Sequence, residues 1–171
     1  WEWGLPNYGL TNSTHSGVKA WDINLNSTYG PNANSVLYSP YFNCASLNFI
    51  DLSFWYNSEL EWNDDGVRLE ESTDDGISWS VVDTNLSFHS SNWYTTAILN
   101  SSSLPAWSRN SGSWIKASLI GKNVSGVNRV LYRFIFNSDP TSNFDGFSLD
   151  DFSVRQTPVI NLRSNLITPS G

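Results

Sequence analysis

What most constrains this chain is a two-residue alternation of apolar and polar side chains that restarts after each acidic, glycine-containing turn. Ile50, Leu52, Phe54 and Tyr56 alternate with Asp51, Ser53 and Asn57, the spacing of a strand with one buried face. Asn63-Asp64-Asp65-Gly66 follows, a run of residues that tolerate positive φ or bond to their own backbone, and Val67 and Leu69 resume the alternation. A second turn, Asp74-Asp75-Gly76, leads into Ile77 and Trp79, and its Asp-Gly pair suits a tight hairpin. Eight of the sixteen acidic residues fall between Glu59 and Asp75, with Arg68 the single base. That segment is either a solvated edge or the seat of a cation.

The same alternation predicts strands at 17–21, 35–40, 47–58, 79–82, 93–99, 113–120, 130–136 and 147–154. Nine Trp, seven Tyr and nine Phe in 171 residues, with no Met, favour strands, and no segment holds a helical period for ten residues. The fold class expected is therefore all-β: a two-sheet antiparallel β-sandwich. Its core should include Phe54, Leu69, Trp79, Phe134 and Leu149. In the last strand Phe147 and Leu149 are out of phase with Phe152 and Val154. The slip falls at Asp150-Asp151, where a β-bulge would turn both apolar pairs inward. One domain is expected over 1–155, with 156–171 a linker or docked tail.

A formal charge of −7 argues against nucleic acid and anionic membrane surfaces, which need a basic footprint. No apolar run reaches the roughly 18–20 residues of a membrane span. Cys44 is the lone cysteine, so it reads as a small buried hydrophobe. The opening Trp1-Glu2-Trp3 carries no leader, which suggests a mature, excised or trimmed chain.

Leu52-Ser53-Phe54-Trp55-Tyr56, Asp65-Gly66-Val67 leading to Ser72-Thr73-Asp74, and Asp145-Gly146-Phe147 leading to Leu149-Asp150-Asp151-Phe152 recur together, in this order, in one group of domains. In these pieces the chain resembles the MAM-like jelly-roll accessory domains of secreted bacterial surface proteins, as attached to immune-inhibitor-A-type peptidases. The resemblance covers about residues 1–155. It implies a jelly roll without a catalytic centre, secreted or at the cell surface, joined to other domains of the same polypeptide. It also implies an adhesion or ligand-binding role and, in some members, a bound calcium ion. One departure is a further strand carrying Phe-Glu, which the family usually has before the Trp-x-Trp-Gly segment.

Five carboxylates are candidate calcium ligands: Glu59, Asp65, Asp145, Asp150 and Asp151. They come from loops that a jelly roll could gather at one rim, where a hard dication bound by oxygens relieves their mutual repulsion; the bland alternative is solvated hairpin tips. Trp62, Trp93, Tyr94 and Trp107 lie at strand ends or in loops and are candidates for stacking on a sugar, although packing explains any one of them better. Catalytic patterns are weak. Glu59 and Glu61 have the spacing of a retaining carboxylate pair on too exposed an edge. His15 and His89 lack a nucleophile elbow. Ser72-x-Asp74-x-Gly76-x-Ser78-Trp79 matches the Asp-box hairpin, a folding device. The sequence thus points to a non-enzymatic accessory domain with calcium and an extracellular glycan or protein partner, and as its alternative to a carbohydrate-binding module of a secreted enzyme. A jelly-roll glycosidase or peptidase is the remaining alternative.

Overall fold

In a computed structural model, which describes residues 1–83 and 89–158, the alternating segments form eleven strands: β1 (Glu2–Gly4), β2 (Ala20–Asp22), β3 (Asn34–Tyr38), β4 (Phe42–Asn43), β5 (Phe49–Glu59), β6 (Gly66–Ser72), β7 (Ser80–Val81), β8 (Ser90–Ser91), β9 (Ile115–Asn123), β10 (Arg129–Asn137) and β11 (Gly146–Gln156). No helix occurs among the described residues. The larger sheet runs β1-β2-β11-β5-β9-β8 and the smaller β3-β10-β6-β7, with β4 also alongside β10. Every pairing is antiparallel. The chain crosses repeatedly from one sheet to the other, so the sandwich is wound as a jelly roll.

Ile50, Leu52, Phe54 and Tyr56 of β5 face inward at 0–3 % exposure, as the alternation requires. Opposite them Val130, Tyr132, Phe134 and Phe136 of β10 are also buried. Phe54 meets Phe134 edge to face at 5.1 Å between ring centroids, which ties the two sheets at their centre. The bulge in β11 is present. Trp55 pairs with Asp150 and Ser53 with Ser153, so two residues of β11 oppose Phe54 alone. Asp151 takes φ 52°, and Phe152 turns in against Phe54 and Phe134.

Two expectations are corrected. Residues 93–99 form no strand. They belong to an irregular segment held by isolated bridges, Thr96 to Ala106 and Val67 to Trp107, that inserts aromatic rings between the sheets. Gly66 permits this approach, because a Cβ there would stand 2.9 Å from the Trp107 carbonyl oxygen and 3.0 Å from the Ala106 methyl. Trp79 lies outside the core on the outer face of the smaller sheet, beneath the Arg133 guanidinium, 4.1 Å from its ring. Its indole N–H donates to the Gly76 carbonyl at 3.0 Å. Asp74 closes that hairpin by accepting from the Ser78 amide and hydroxyl, the structural duty of an Asp-box. At the other end Thr157 donates its amide to Phe49, and the rest of the expected tail, 159–171, lies outside the described residues.

Candidate functional site

The polar positions of the alternation make the outer face of the larger sheet. Asp51, Ser53 and Trp55 from β5, Lys116, Ser118 and Ile120 from β9, and Asp151, Ser153 and Arg155 from β11 line a groove of about 680 Å³. The register orders them. Ser53 stands between Ser118 and Ser153, a row of hydroxyls across three strands. Trp55 lies opposite Lys116, and Asp51 opposite Arg155.

The aromatic wall at one end is braced from behind. His15 stacks on Trp55 at 3.8 Å with the rings 14° from parallel, and the edge of Trp114 meets His15 at 6.0 Å. The bulge carboxylates hold this loop down. Asp150 accepts the amides of His15 (3.1 Å) and Ser16 (2.9 Å). Asp151 accepts from His15 Nδ1 at 2.8 Å and from the Ser16 hydroxyl at 2.9 Å, and the bond to His15 holds its carboxyl below the usual range. Asp51 is likewise occupied, taking the Gly121 amide at 2.9 Å and the Thr157 hydroxyl at 2.6 Å. Lys116 and Arg155 form no ion pair among the described residues.

A second groove of about 450 Å³ opens between β2 and β3 at the sandwich edge, with Trp3, Trp21, Tyr38 and Phe42 in its walls. Its lining is mostly apolar, so it offers few partners for hydroxyl groups.

The proposed sugar platforms divide. Trp93, Tyr94 and Trp107 are 4 %, 5 % and 0 % exposed and their rings pack together in the core. Their polar atoms are satisfied inside, by the carbonyls of Val82, Leu69 and Asn92 respectively. They present no ring to a ligand. Trp62 alone is exposed, at 62 %, with the Arg109 guanidinium 5.7 Å from its ring. Trp55 is absent from the sequence-derived candidates, although its place among Asp51, Ser53 and Asn57 puts it on the outward face and would have revealed it. His15, to which the sequence assigns no site role, is part of the wall.

The candidate metal ligands also divide. The loop after β5 and the loop after β10 do meet at one rim, but through Glu61, Asp65 and Asp139, whose carboxylate oxygens lie within 4.8 Å of one another. Of the five predicted ligands only Asp65 belongs to this group. Asp150 and Asp151 are spent on the His15 loop, and Asp145 turns towards Thr11. Glu59 is in none of these sites; β5 presents it opposite Gly146. Asp65 is fully buried, accepting the Tyr29 hydroxyl at 2.5 Å and the Asp139 amide at 2.6 Å. Burial, opposed by those two bonds and aided by the neighbouring charges of Asp139 and Glu61, pushes its carboxyl up to about 6. Glu61 Oε2 is buried with no hydrogen-bond partner.

No family profile matches the chain, and no curated protein does. Among solved structures it is similar to TmCBM61 in complex with beta-1,4-galactotriose, at 14 % identity and a TM-score of 0.48, over 85 % of this chain and 75 % of that one.

Proposed function

We propose that this chain is a carbohydrate-binding module, an accessory domain of a larger extracellular protein, and that the groove on the outer face of the larger sheet is its glycan site. One observation carries this reading: Trp55, an outward aromatic braced by His15, stands at the end of a groove whose lining includes three serines and four charged side chains. A pyranose needs both, an apolar plate for its C–H face and a set of donors and acceptors for its hydroxyls. The site binds without turnover, because Asp51 and Asp151, the carboxylates of the groove, already hold backbone and His15. General acid–base work needs a pair whose environments separate their pKa values at one place.

A calcium ion fits the rim. The orphaned Glu61 Oε2, with Asp65 and Asp139 close by, offers the all-oxygen set a hard dication takes. Held there, the ion would tie the loop after β5 to the loop after β10 and leave the groove untouched.

A glycan array followed by calorimetry tests the module. Trp55→Ala should weaken binding at least tenfold, Ser53→Phe should block the groove with the fold intact by circular dichroism, and Trp62→Ala should bind as wild type. Absence of glycan binding across neutral and acidic oligosaccharides, or wild-type affinity in both groove variants, would sink this reading.

A further inference from the structure

In a chain of formal charge −7 acids outnumber bases, so a base without a carboxylate is informative. Among the described residues Arg68, Lys122, Arg129 and Arg133 each pair with one, whereas Lys19, Arg109, Lys116 and Arg155 pair with none. Two of these last, Lys116 and Arg155, are exposed in the same groove as Trp55. Arg155 is the more telling. Asp51 lies opposite it across β5 and β11, yet Asp51 accepts instead from the Gly121 amide and the Thr157 hydroxyl. Arg155 uses only its Nε, which donates to the Ser153 hydroxyl at 2.9 Å. The terminal amino groups of its guanidinium and the Lys116 ammonium find no acceptor among the described residues.

The two cations mark opposite corners of the groove. Lys116 is level with Trp55 on β9, and Arg155 is level with Asp51 on β11. Their backbones therefore stand ~13 Å apart along the strands and ~10 Å apart across them. Between them runs the row of Ser118, Ser53 and Ser153. We infer that the groove selects an anionic glycan, an oligosaccharide bearing carboxylate or sulfate groups, with Lys116 and Arg155 as its specificity-determining residues. The inference rests on the glycan reading of this groove and narrows it from glycans in general to charged ones. A guanidinium fork suits the paired oxygens of either anion, and an ammonium serves as a point charge. One sugar ring is too short to reach both corners, so the ligand needs a second charged unit. Asp51 and Asp151 already accept from Gly121, Thr157, His15 and Ser16, which leaves the two cations as the open charged partners. The acidity of the rest of the chain acts weakly here, because charges beyond a Debye length, ~8 Å at physiological ionic strength, are screened. Nucleic acid and anionic membrane surfaces need a wider basic footprint than two residues.

Calorimetry on the whole chain tests it with oligosaccharides of equal length: uronate oligomers of gluco, galacto and manno configuration, the same oligomers with their carboxyls reduced to alcohols, and sulfated counterparts. An anionic oligomer should bind at least about tenfold more tightly than its neutral counterpart, and the better of the two anions names the source of the charge. Raising salt from 0.1 to 1 M, where the Debye length falls from ~10 to ~3 Å, should remove most of that preference. Lys116→Gln and Arg155→Gln should each lower the preference, and the double variant should abolish it. Arg129→Gln, which takes the same charge from the smaller sheet, should keep it. Equal affinity for charged and reduced oligomers, or an undiminished preference in the double variant, would overturn the charge selectivity and leave the glycan site standing. Binding of no oligosaccharide at all would overturn the glycan reading itself, and this inference with it.

Discussion

The hairpin around Asp74 and the rim around Asp65 are built from nearly the same residues, an acidic run ending in Asp-Gly, yet the fold treats them in opposite ways. Around the hairpin nearly every acid is answered. Glu70 receives Arg68 at 2.7 Å and Arg133 at 2.5 Å, Glu71 receives Lys122 at 2.7 Å, and Asp75 receives Arg129 at 2.6 Å. Asp74, fully exposed, is answered by the Ser78 and Ser72 hydroxyls and the Ser78 amide, which lower its carboxyl to about 2. Around the rim Glu61, Asp65 and Asp139 gather with no base paired to them among the described residues. Apart from Arg68, the answering cations come from β9 and β10, roughly fifty to sixty residues downstream, so local composition says little about which acidic turn is neutralised. An unanswered cluster is where an external cation belongs.

The comparison is broken hardest at Glu70. It is buried, and its loss would leave Arg68 and Arg133 without their carboxylate, so Glu70→Gln should cost about 3–5 kcal/mol in urea unfolding; a loss below about 1 kcal/mol would mean the ion pairs are surface decoration. The next test is the rim with and without metal. Calcium bound to the native state alone adds about 2.7 kcal/mol at a hundredfold excess over Kd, so chelator should lower the melting temperature. Asp139→Asn should reduce that sensitivity and, in chelator, leave the protein as stable as wild type or slightly more so. A chelator-insensitive melting curve in wild type would remove the proposed rim ion as a stabilising element.

Titration separates the buried carboxyls from the exposed hairpin by sign. Burial pushes Asp22 up to about 7 and Asp65 up to about 6. In each case the native state binds the proton more tightly than the unfolded chain. Their contribution is therefore fully present below the unfolded value near 4 and is lost as pH rises through 6 to 7. Asp74, shifted the other way, contributes above about pH 4 and loses its contribution as pH falls through 2. Chelated protein should accordingly unfold more readily at pH 8 than at pH 5, and Asp65→Asn should flatten that slope. The smallest effect is expected at the exposed pair: Arg129→Ala should change stability by no more than about 1 kcal/mol, and less in high salt.

Much of the fold is legible because period-2 alternation is a backbone property. The strand from Ile50 to Tyr56, the run from Val130 to Phe136 and the slip at Asp150-Asp151 each follow from which side chains share a face. The segment holding Trp93, Tyr94 and Trp107 was not legible, since its rings are buried by irregular backbone and carry no periodicity. Trp79 was misplaced for a related reason. Alternation says which residues share a face but not which face is covered, and on that hairpin Arg133 covers the indole instead of the opposite sheet. The candidate site was half legible. Asp65 and the meeting of two loops could be read, whereas Glu61 and Asp139 depend on loop geometry. Trp55 was in plain view as an outward residue of a strand whose inward residues drew attention.

The strand order has a consequence for how the chain acquires this shape. β11, the last strand among the described residues, is interior to the larger sheet, hydrogen-bonded to β2 on one side and to β5 on the other. Until residues 146–156 have left the ribosome, β2 and β5 have no common neighbour, and Phe54 and Tyr56 lack their ring contacts with Phe152 and Phe147. Folding must therefore wait for nearly the whole domain to be synthesised. Closure over more than a hundred residues then sets a slow rate typical of high contact order. A nascent chain stalled before Gly146 would be a target for chaperones and self-association, whereas a circular permutant that moves β11 ahead of β1 should begin folding earlier.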